Sequence, residues 1–266
     1  MAGSSPSSRR KEMVGDPILA VRGVRKSFGG LRALDRVDID VEKGSLTMLI
    51  GPNGSGKTTL LNVISGFYKP EEGAVFFEGR NITGLPPHKI FHMGLVRTFQ
   101  VPSPFAKLSV LENLLVAHPG NPGESFVKAL IRKSWVKYEE EAVGKAFRVL
   151  KLLELDHLWD QPSHALSGGQ LKLLEIGRAL MSGARMILLD EPASGVNPAL
   201  AHKLFSHIVK VKEELGVTFF IIEHRLEIAT QYVDYVYAMA QGRVISKGSA
   251  DEVLNDPAVI EGYLGG

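Results

Sequence analysis

The N-terminal part of the chain alternates between apolar and charged positions. The alternation covers residues 18–28 and 33–41, on either side of Gly29-Gly30. A period of two is typical of strands that bury one face, so the pattern predicts two antiparallel strands joined at the glycines. Residues 74–82 continue the pattern with a second strand pair. An antiparallel β layer is therefore expected at the start of the fold.

Three short segments are apolar at nearly every position, namely residues 46–50, 186–189 and 218–222. Strands that are covered on both faces of a parallel sheet have this character. Helical periodicity follows the first of them over residues 58–68, and residues 235–247 alternate around a turn, as in a hairpin. These patterns predict an α/β core with a mixed sheet.

The middle of the chain has the apolar spacing of amphipathic helices. This character extends over residues 110–158, interrupted by the Pro- and Gly-rich residues 119–123, and helical spacing also occurs at residues 251–264. We therefore expect an inserted α-helical subdomain over about residues 101–180, within one domain spanning residues 18–266.

Composition narrows the classes of protein that this chain can represent. With 31 Lys plus Arg against 29 Asp plus Glu among 266 residues, the formal charge of +2 excludes a protein that coats polyanions. The absence of cysteine excludes disulfides, thiolate zinc sites and a cysteine nucleophile. No apolar run approaches the roughly 18 residues that cross a bilayer, so no membrane span is expected.

Residues 1–17 mix Ser, Gly and Pro with the basic cluster Arg9, Arg10 and Lys11. Because they lack an apolar stretch, a secretory signal is not expected. We interpret them as a flexible tail. The alternative is a basic tether to anionic lipid or nucleic acid, which so few charges would attract only weakly at cellular salt.

A glycine-rich loop joins the first buried strand to the helix that follows it. Residues 51–58 have the sequence GPNGSGKT, which fits the phosphate-binding pattern G-x-x-x-x-G-K-[ST] in its required strand-loop-helix context. The glycines let backbone N–H groups point at phosphate oxygens beside a helix N-terminus. Lys57 is expected to neutralise the β- and γ-phosphates, and the Thr58 hydroxyl to ligate Mg²⁺. The alternative is a structural glycine turn. The predicted nucleotide contacts are Asn53, Gly54, Ser55, Gly56, Lys57, Thr58 and Thr59.

Two carboxylates, Asp190 and Glu191, directly follow the apolar segment 186–189. This places them at the carboxyl edge of a parallel strand, where α/β sheets bind ligands. Asp190 is expected to face the metal through its hydration shell, and Glu191 to polarise water for in-line attack on the γ-phosphate. The alternative is a helix N-cap before Pro192.

A second anion site is predicted at residues 166–170, LSGGQ, which precede an amphipathic helix. One nucleotide does not need two such sites in one chain. On these motifs the chain resembles the ATP-binding subunit of an ABC transporter, whose signature is LSGGQ, over residues 18–264. The resemblance implies a P-loop NTPase fold in which two subunits pair head to tail. Each ATP is then expected between the phosphate loop of one subunit and Ser167, Gly168, Gly169 and Gln170 of the other.

Further residues match motifs of this family. The resemblance implies that Gln100 contacts Mg²⁺ near the docking site of a membrane permease, and that His224 hydrogen-bonds the γ-phosphate and attacking water. It implies that Phe28 stacks on adenine, where the family usually has Tyr, with core packing as the alternative. Asn197 replaces the commoner Asp in the loop through which the two ATP sites communicate. The expected catalytic set is Lys57, Glu191 and His224, with Thr58, Gln100 and Asp190 around the metal.

A closer resemblance is to importers of branched-chain and other hydrophobic amino acids, in residues 97–100 and 109–117. The segments 121–125 and 222–226 are similar to the archaeal branch, although most relatives have Asp in place of Arg225. This resemblance implies ATP-driven uptake through integral membrane permeases, with a solute-binding protein in the full complex. It places the chain in the cytoplasm at the inner face of the cell membrane, paired with an identical or paralogous subunit.

The main alternative is a soluble ABC-type ATPase that acts on nucleic acid or the ribosome. Such proteins insert long coiled coils or fuse two ATPase units, whereas this chain has a single phosphate loop and no sustained heptads. We therefore expect no nucleic-acid partner. A P-loop kinase would have no use for LSGGQ. His88 and His92 are spaced to share a helix face but lack a third ligand, so we interpret them as surface residues and not as a metal site.

Overall fold

Two β-sheets form the frame of the molecule in the computed structural model, which describes residues 16–98, 102–122 and 132–264. The predicted antiparallel layer is confirmed, with the strand order β2-β1-β4-β5. Residues 1–15 of the predicted tail and Gln100 lie outside the described residues. The strands of this first sheet are β1 (Leu19–Phe28), β2 (Leu31–Val41), β4 (Glu72–Phe77) and β5 (Arg80–Asn81).

The second sheet is mixed, as predicted. It contains β3 (Leu46–Ile50), β6 (Leu95–Arg97), β7 (Met186–Asp190), β8 (Thr218–Ile222), β9 (Tyr235–Ala240) and β10 (Arg243–Gly248), in the order β10-β9-β3-β8-β7-β6. β10 runs antiparallel to β9, and the other neighbours pair in parallel. The carboxyl ends of β3, β7 and β8 therefore meet at one edge, and the residues that follow these strands lie close together.

Helices cover this sheet. α1 (Lys57–Ile64) follows β3, and α2 (Pro87–His92) precedes β6. The helical lobe is built from α3 (Val110–Val116), α4 (Arg132–Leu152) and α5 (Gly168–Met181), which contact one another. α6 (Pro198–Leu215) follows β7, α7 (Leu226–Ala229) follows β8, and α8 (Ala250–Leu254) and α9 (Pro257–Leu264) follow β10. Within the described ranges, no helix is both long and apolar enough to cross a bilayer.

The mixed sheet is buried on both faces, which explains its continuous apolar segments. Met48 and Ile50 of β3 belong to a core shared with the helical lobe. Leu49, between them, belongs to the opposite core, which contains residues of α1 and of the antiparallel sheet. Every residue of β3 is buried. Because close packing on both sides fixes β3, it also fixes the start of the loop that follows it.

The helix expected over residues 58–68 is shorter than its apolar spacing indicates. It ends at Ile64, because Gly66 has a φ of 80° and a Cβ there would lie 2.3 Å from the Leu85 carbonyl oxygen. Phe67, which matches the apolar spacing of the helix, lies beyond its end and is exposed.

The C-terminal segment with helical spacing, residues 251–264, contains two helices and not one. Asn255 ends α8. The Asp256 carboxylate then accepts a hydrogen bond from the Ala258 amide at 2.9 Å, at the start of α9. A capping side chain of this kind favours a new helix over continuation of the previous one.

Candidate active site

The phosphate loop, residues 51–58, leaves β3 and turns into α1. Gly56 has a φ of 102°, and a Cβ there would lie 2.4 Å from the Ala33 carbonyl oxygen. The loop can therefore pass β2 this closely only with glycine. On its other side, the Gly242 amide in the turn between β9 and β10 donates to the Ser55 carbonyl at 3.0 Å.

Lys57 lies in the first turn of α1 with its ammonium group folded back over the loop. Its Nζ donates to the carbonyl oxygens of Gly51 at 2.8 Å and Pro52 at 2.9 Å, and the residue is 6% exposed. Burial lowers the pKa of Lys57 below its usual value, and the charges of Glu191 and Asp190 oppose this shift. The loop thus carries a largely desolvated cation, which attracts an anion more strongly than an exposed one does.

The N-terminus of α1 is open to an anion. Gly56, at the N-cap position, has no side chain to cap the first amides of the helix. Asn53, Gly54 and Thr58 are exposed around it, and Thr59 is partly exposed. Uncapped amides, an exposed hydroxyl and the ammonium group of Lys57 therefore occur together at one helix N-terminus.

Asp190 is the last residue of β7, and its carboxylate forms an ion pair that was not predicted from the sequence. Its Oδ2 lies 3.0 Å from Nη2 of Arg97, the last residue of β6, and both side chains are largely buried. Arg97 Nη1 also donates to Asn62 Oδ1 at 2.5 Å. Arg97 therefore ties the Asp190 carboxylate to α1, the helix that carries Lys57 and Thr58.

Glu191 has a φ of 49°, a left-handed conformation that is uncommon for a residue other than glycine. Its amide donates to the Ile222 carbonyl at the end of β8 at 2.9 Å, and its Oε1 lies 3.2 Å from Nε2 of His224. Two of the predicted catalytic side chains are thus brought together from neighbouring strands. The chain after Glu191 forms turns until α6 begins at Pro198, so the N-cap alternative for Asp190 and Glu191 is wrong.

Lys172 and Glu223 are parts of this site whose roles were not predicted from the sequence. Lys172, from α5, donates to the carbonyl oxygens of Ser194 at 2.7 Å and Glu191 at 3.4 Å. Burial lowers its pKa, and the charges of Glu223, Glu175 and Glu191 oppose the shift. No local pattern indicates these contacts, because they join segments that are distant along the chain.

The LSGGQ segment forms the start of α5. Ser167 Oγ accepts a hydrogen bond from the Gln170 amide at 3.4 Å, and Gln170 Oε1 accepts one from the Ser167 amide at 2.8 Å, which together form a capping box. A Cβ on Gly169 would lie 2.2 Å from Leu200 Cδ2 of α6, whereas a Cβ on Gly168 would meet no atom within 4 Å. A methyl group at position 169 would therefore require the Leu200 side chain to move, whereas no described atom crowds position 168. Close approach of an anion to the helix N-terminus is the role that we predict for Gly168.

Phe28, at the end of β1, is 44% exposed, so the core-packing alternative is wrong for this residue. Its ring meets the ring of Tyr68 edge to face, with centroids 5.2 Å apart, and Lys26 Nζ lies 5.3 Å from its centroid. An exposed ring supported by a second aromatic side chain is suited to stacking on a planar ligand.

Asn197 is the N-cap of α6. Its Oδ1 accepts a hydrogen bond from the Leu200 amide at 2.9 Å. This contact gives Asn197 a structural role within its own chain. Its part in communication between two ATP sites stays a prediction.

Two other features of the described residues lie apart from this site. His88 and His92 are exposed on α2, and no group of three or more His, Cys, Asp or Glu within the described ranges could hold a metal ion.

A groove of about 610 Å³ between β1, β2 and β10 contains no predicted site residue. Its cations surround Asp35, and the hydrogen bond from Arg243 holds the pKa of that carboxyl below its usual range. Arg25 adds an ion pair with Asp35 at 3.3 Å, so these charges form a network along the groove.

Comparisons with known proteins agree with the geometry of the site. Residues 34–194 match the family described as ABC transporter, and residues 243–266 match the family described as branched-chain amino acid ATP-binding cassette transporter. A probable branched-chain amino acid transport ATP-binding protein, LivG, from Archaeoglobus fulgidus is 54% identical over 93% of this chain and 95% of its own length. The resemblance to the archaeal branch of these importers is therefore confirmed.

Solved structures of ATP-binding cassettes have the same fold. A nucleotide-free cassette from an ABC transporter is 50% identical, with a TM-score of 0.79 over 92% of this chain and 98% of that one. A dimeric cassette in a post-hydrolysis state, bound to ADP and Pi, is 25% identical, with a TM-score of 0.69 over 87% of this chain and 98% of that one. The predicted fold class is confirmed. The chain belongs to the ATP-binding cassette family of ABC transporters, whose members bind and hydrolyse ATP as paired subunits that work with membrane permeases.

Proposed function

We propose that this chain binds ATP with Mg²⁺ and hydrolyses it within a head-to-tail pair, and that hydrolysis powers uptake of branched-chain or other hydrophobic amino acids. The observation that carries the proposal is the contact between Glu191 and His224, 3.2 Å apart. It lies at the sheet edge where β3 leads into the loop that bears Lys57. A carboxylate and an imidazole so placed are suited to orient and deprotonate an attacking water.

Lys57 and the loop amides hold the β- and γ-phosphates in this proposal. The Thr58 hydroxyl and the Asp190 carboxylate are hard oxygen donors of the kind that Mg²⁺ prefers, with Gln100 as a further contact. When bound, the ion neutralises charge that develops on the phosphate oxygens. Arg97, 3.0 Å from Asp190, keeps that carboxylate in place.

Glu191 accepts the proton of the attacking water, while His224 donates a hydrogen bond to an oxygen of the γ-phosphate. The left-handed backbone at Glu191 turns its side chain toward His224. Backbone strain of this kind persists only when surrounding contacts hold it, and the hydrogen bond to Ile222 is one of them. Lys57 stabilises negative charge on the leaving oxygen.

The second half of each site comes from a partner chain. Ser167 Oγ accepts from the Gln170 amide, so its O–H can donate to a phosphate of the partner's ATP. The space beside Gly168 admits that phosphate. Because ATP binds both halves at once, it stabilises the pair, and hydrolysis releases it. The dimeric relative bound to ADP and Pi supports this arrangement.

The relatives support the choice of transported solute. The LivG relative is named as a branched-chain amino acid transport protein, and residues 243–266 match the corresponding family. We infer that permease subunits dock near Gln100, that a solute-binding protein delivers the amino acid, and that the chain lies in the cytoplasm on the inner face of the membrane. Since the relatives are transport proteins, the nucleic-acid alternative is not favoured.

The variant Glu191→Gln tests the hydrolytic role, because it keeps the size of the side chain and removes the base. With ATP and Mg²⁺ we expect a persistent dimer by light scattering and phosphate release that is at least about 100-fold slower. Glu214→Gln, an exposed carboxylate on α6, is the matched control and should behave as wild type. Wild-type phosphate release by Glu191→Gln would remove Glu191 from its role.

Uptake is tested in proteoliposomes that contain the chain with its permeases and binding protein. Leucine accumulation should require ATP on the side of the ATP-binding subunits and should be lost with Glu191→Gln. Accumulation that does not depend on ATP would contradict the transport role.

A further inference from the structure

Glu223 is a buried carboxylate next to the pair formed by Glu191 and His224. It directly follows β8 and is 1% exposed. Its Oε1 accepts a hydrogen bond from the Ala193 amide at 2.6 Å. Its Oε2 accepts from the amides of His224 at 3.0 Å and Arg225 at 3.3 Å. One carboxylate therefore links the loop after β7 to the loop after β8.

These hydrogen bonds require a side chain that only accepts. A carboxylate offers about four acceptor positions and no donor, and the amides of Ala193, His224 and Arg225 all donate to it. Glutamine at position 223 would turn an NH₂ group toward at least one of these amides. A buried N–H would then lose its acceptor, which costs more than an absent hydrogen bond at the surface.

A second side chain ties the same two loops together. Arg225 donates from Nη1 to the Val196 carbonyl at 2.7 Å. Glu223 thus holds the start of the segment 193–196, and Arg225 holds its end, next to Asn197. The loop that leads to Asn197 is therefore attached at two points to the turn that carries His224.

The position of Glu223 bears on both catalytic side chains. Ala193 lies two residues beyond Glu191, and His224 is the next residue after Glu223. A change in the Glu223 contacts therefore alters the placement of both loops. The separation that such a change affects is the 3.2 Å between Glu191 Oε1 and His224 Nε2.

We propose that Glu223 is a positioning residue for ATP hydrolysis, which holds the His224 turn against the loop after Glu191 so that the two side chains act as a pair. The proposal deepens the proposed function and rests on it. The hydrogen bonds of Glu223 go to these two loops and not to the phosphate loop. Loss of the carboxylate therefore slows hydrolysis and leaves ATP binding intact.

The test compares Glu223→Gln with Asp35→Asn, which changes another buried carboxylate. Asp35 is 6% exposed, and Arg243 Nε donates to it at 2.9 Å, but its partners lie in the groove between β2 and β10. For Glu223→Gln we expect kcat to fall about 10- to 100-fold, with the KM for ATP within about threefold of wild type. For Asp35→Asn we expect both constants within about threefold of wild type, although both variants lower the thermal midpoint.

A double-variant cycle separates positioning from general damage to the fold. Because Glu223 acts through the Glu191 and His224 pair, adding Glu223→Gln to His224→Ala should slow single-turnover hydrolysis by less than about threefold. Should Glu223→Gln fail to fold, Glu223→Asp keeps an acceptor-only group on a shorter stem. We expect it to lower kcat as well, by a smaller factor, with the KM for ATP unchanged.

Several results would overturn the proposal. One is a wild-type kcat in folded Glu223→Gln or Glu223→Asp. Another is a raised KM for ATP with unchanged kcat in Glu223→Gln. The others are an equal loss of kcat in Asp35→Asn, or losses that multiply when Glu223→Gln is combined with His224→Ala. A different outcome identifies failure of the proposed function itself. If Glu191→Gln and His224→Ala hydrolyse ATP at the wild-type rate, the catalytic pair is wrong. If those variants are slow and Glu223→Gln is not, only the positioning role is wrong.

Discussion

Alanine at the two neighbouring glycines of the LSGGQ segment should have opposite effects on stability. In the interior of a helix, alanine is favoured over glycine by about 1 kcal/mol, which is an upper limit for Gly168 and Gly169 because they are the first two residues of α5. A methyl group on Gly168 meets no atom within 4 Å, so the free energy of unfolding of Gly168→Ala should equal that of wild type or exceed it by up to about 1 kcal/mol. A methyl group on Gly169 would lie 2.2 Å from Leu200 Cδ2. Overpacking costs about 1–3 kcal/mol, and we expect the low end of this range because Leu200 is partly exposed and its end can move.

The two effects partly cancel at Gly169. After the gain in helix propensity, Gly169→Ala should be less stable than wild type by up to about 2 kcal/mol. For a domain of this size, each kcal/mol shifts the thermal midpoint by about 2–4 °C. Thermal unfolding without nucleotide therefore ranks the variants, with Gly168→Ala at or above wild type and Gly169→Ala below it.

At Gly168, alanine should impair ATP hydrolysis although it does not lower the stability of the fold. The added methyl group fills the space through which we expect a phosphate of the partner's ATP to approach the amides of α5. Phosphate release by Gly168→Ala should therefore fall at least about 10-fold. Light scattering in the Glu191→Gln background should show loss of the ATP-dependent dimer.

Two results would refute this reasoning. A Gly168→Ala variant that pairs and hydrolyses ATP as wild type does would show that the open space has no ligand role. A Gly168→Ala variant less stable than Gly169→Ala would show that the packing around α5 differs from that described. Leu200→Ala combined with Gly169→Ala is the control, because it removes the atom that the new methyl group meets.

Phe28→Ala should raise the KM for ATP about 5- to 150-fold, since stacking on a base contributes about 1–3 kcal/mol. The thermal midpoint of Phe28→Ala should stay near that of wild type because the ring is 44% exposed. Phe28→Tyr, which keeps an aromatic ring, is the control. An unchanged KM for ATP in Phe28→Ala would exclude stacking. Burial raises the pKa of Tyr237 from 10.0 to about 12. The neutral hydroxyl therefore contributes stability below pH 10 that is lost as the pH rises toward about 12, by about 2–3 kcal/mol. Urea unfolding across this range should show the loss, and Tyr237→Phe should remove that part of the pH dependence.

The phosphate loop and the LSGGQ turn could be predicted from sequence because their geometry is local. Closely spaced glycines and a following helix determine where the amides point, whatever else surrounds them. The same holds for the turn between β9 and β10, where Gln241 and Gly242 both have positive φ. The continuous apolar segments also predicted buried strands correctly, because a strand that is covered on both faces is apolar at nearly every position.

Contacts between distant segments could not be predicted in this way. Arg97 and Asp190 are 93 residues apart, and Glu223 and Ala193 are 30 residues apart. They meet because β6, β7 and β8 are neighbours in the sheet. An apolar run shows that a strand is buried but not which strands lie beside it. The sequence therefore predicted Glu191 as the catalytic carboxylate but not the residues that hold its loop.

The place of β3 in the sheet also determines when a growing polypeptide can first use its phosphate loop. β3 is among the earliest strands to be synthesised, yet it lies between β8 and β9, which are among the latest. Gly242, which holds the Ser55 carbonyl, is made later still. The hydrogen bond from Gly242 to the loop therefore forms only after β8 and β9 have been made. During synthesis, the phosphate loop therefore gains this support later than its own position along the chain indicates, after the strands on both sides of β3 have been made.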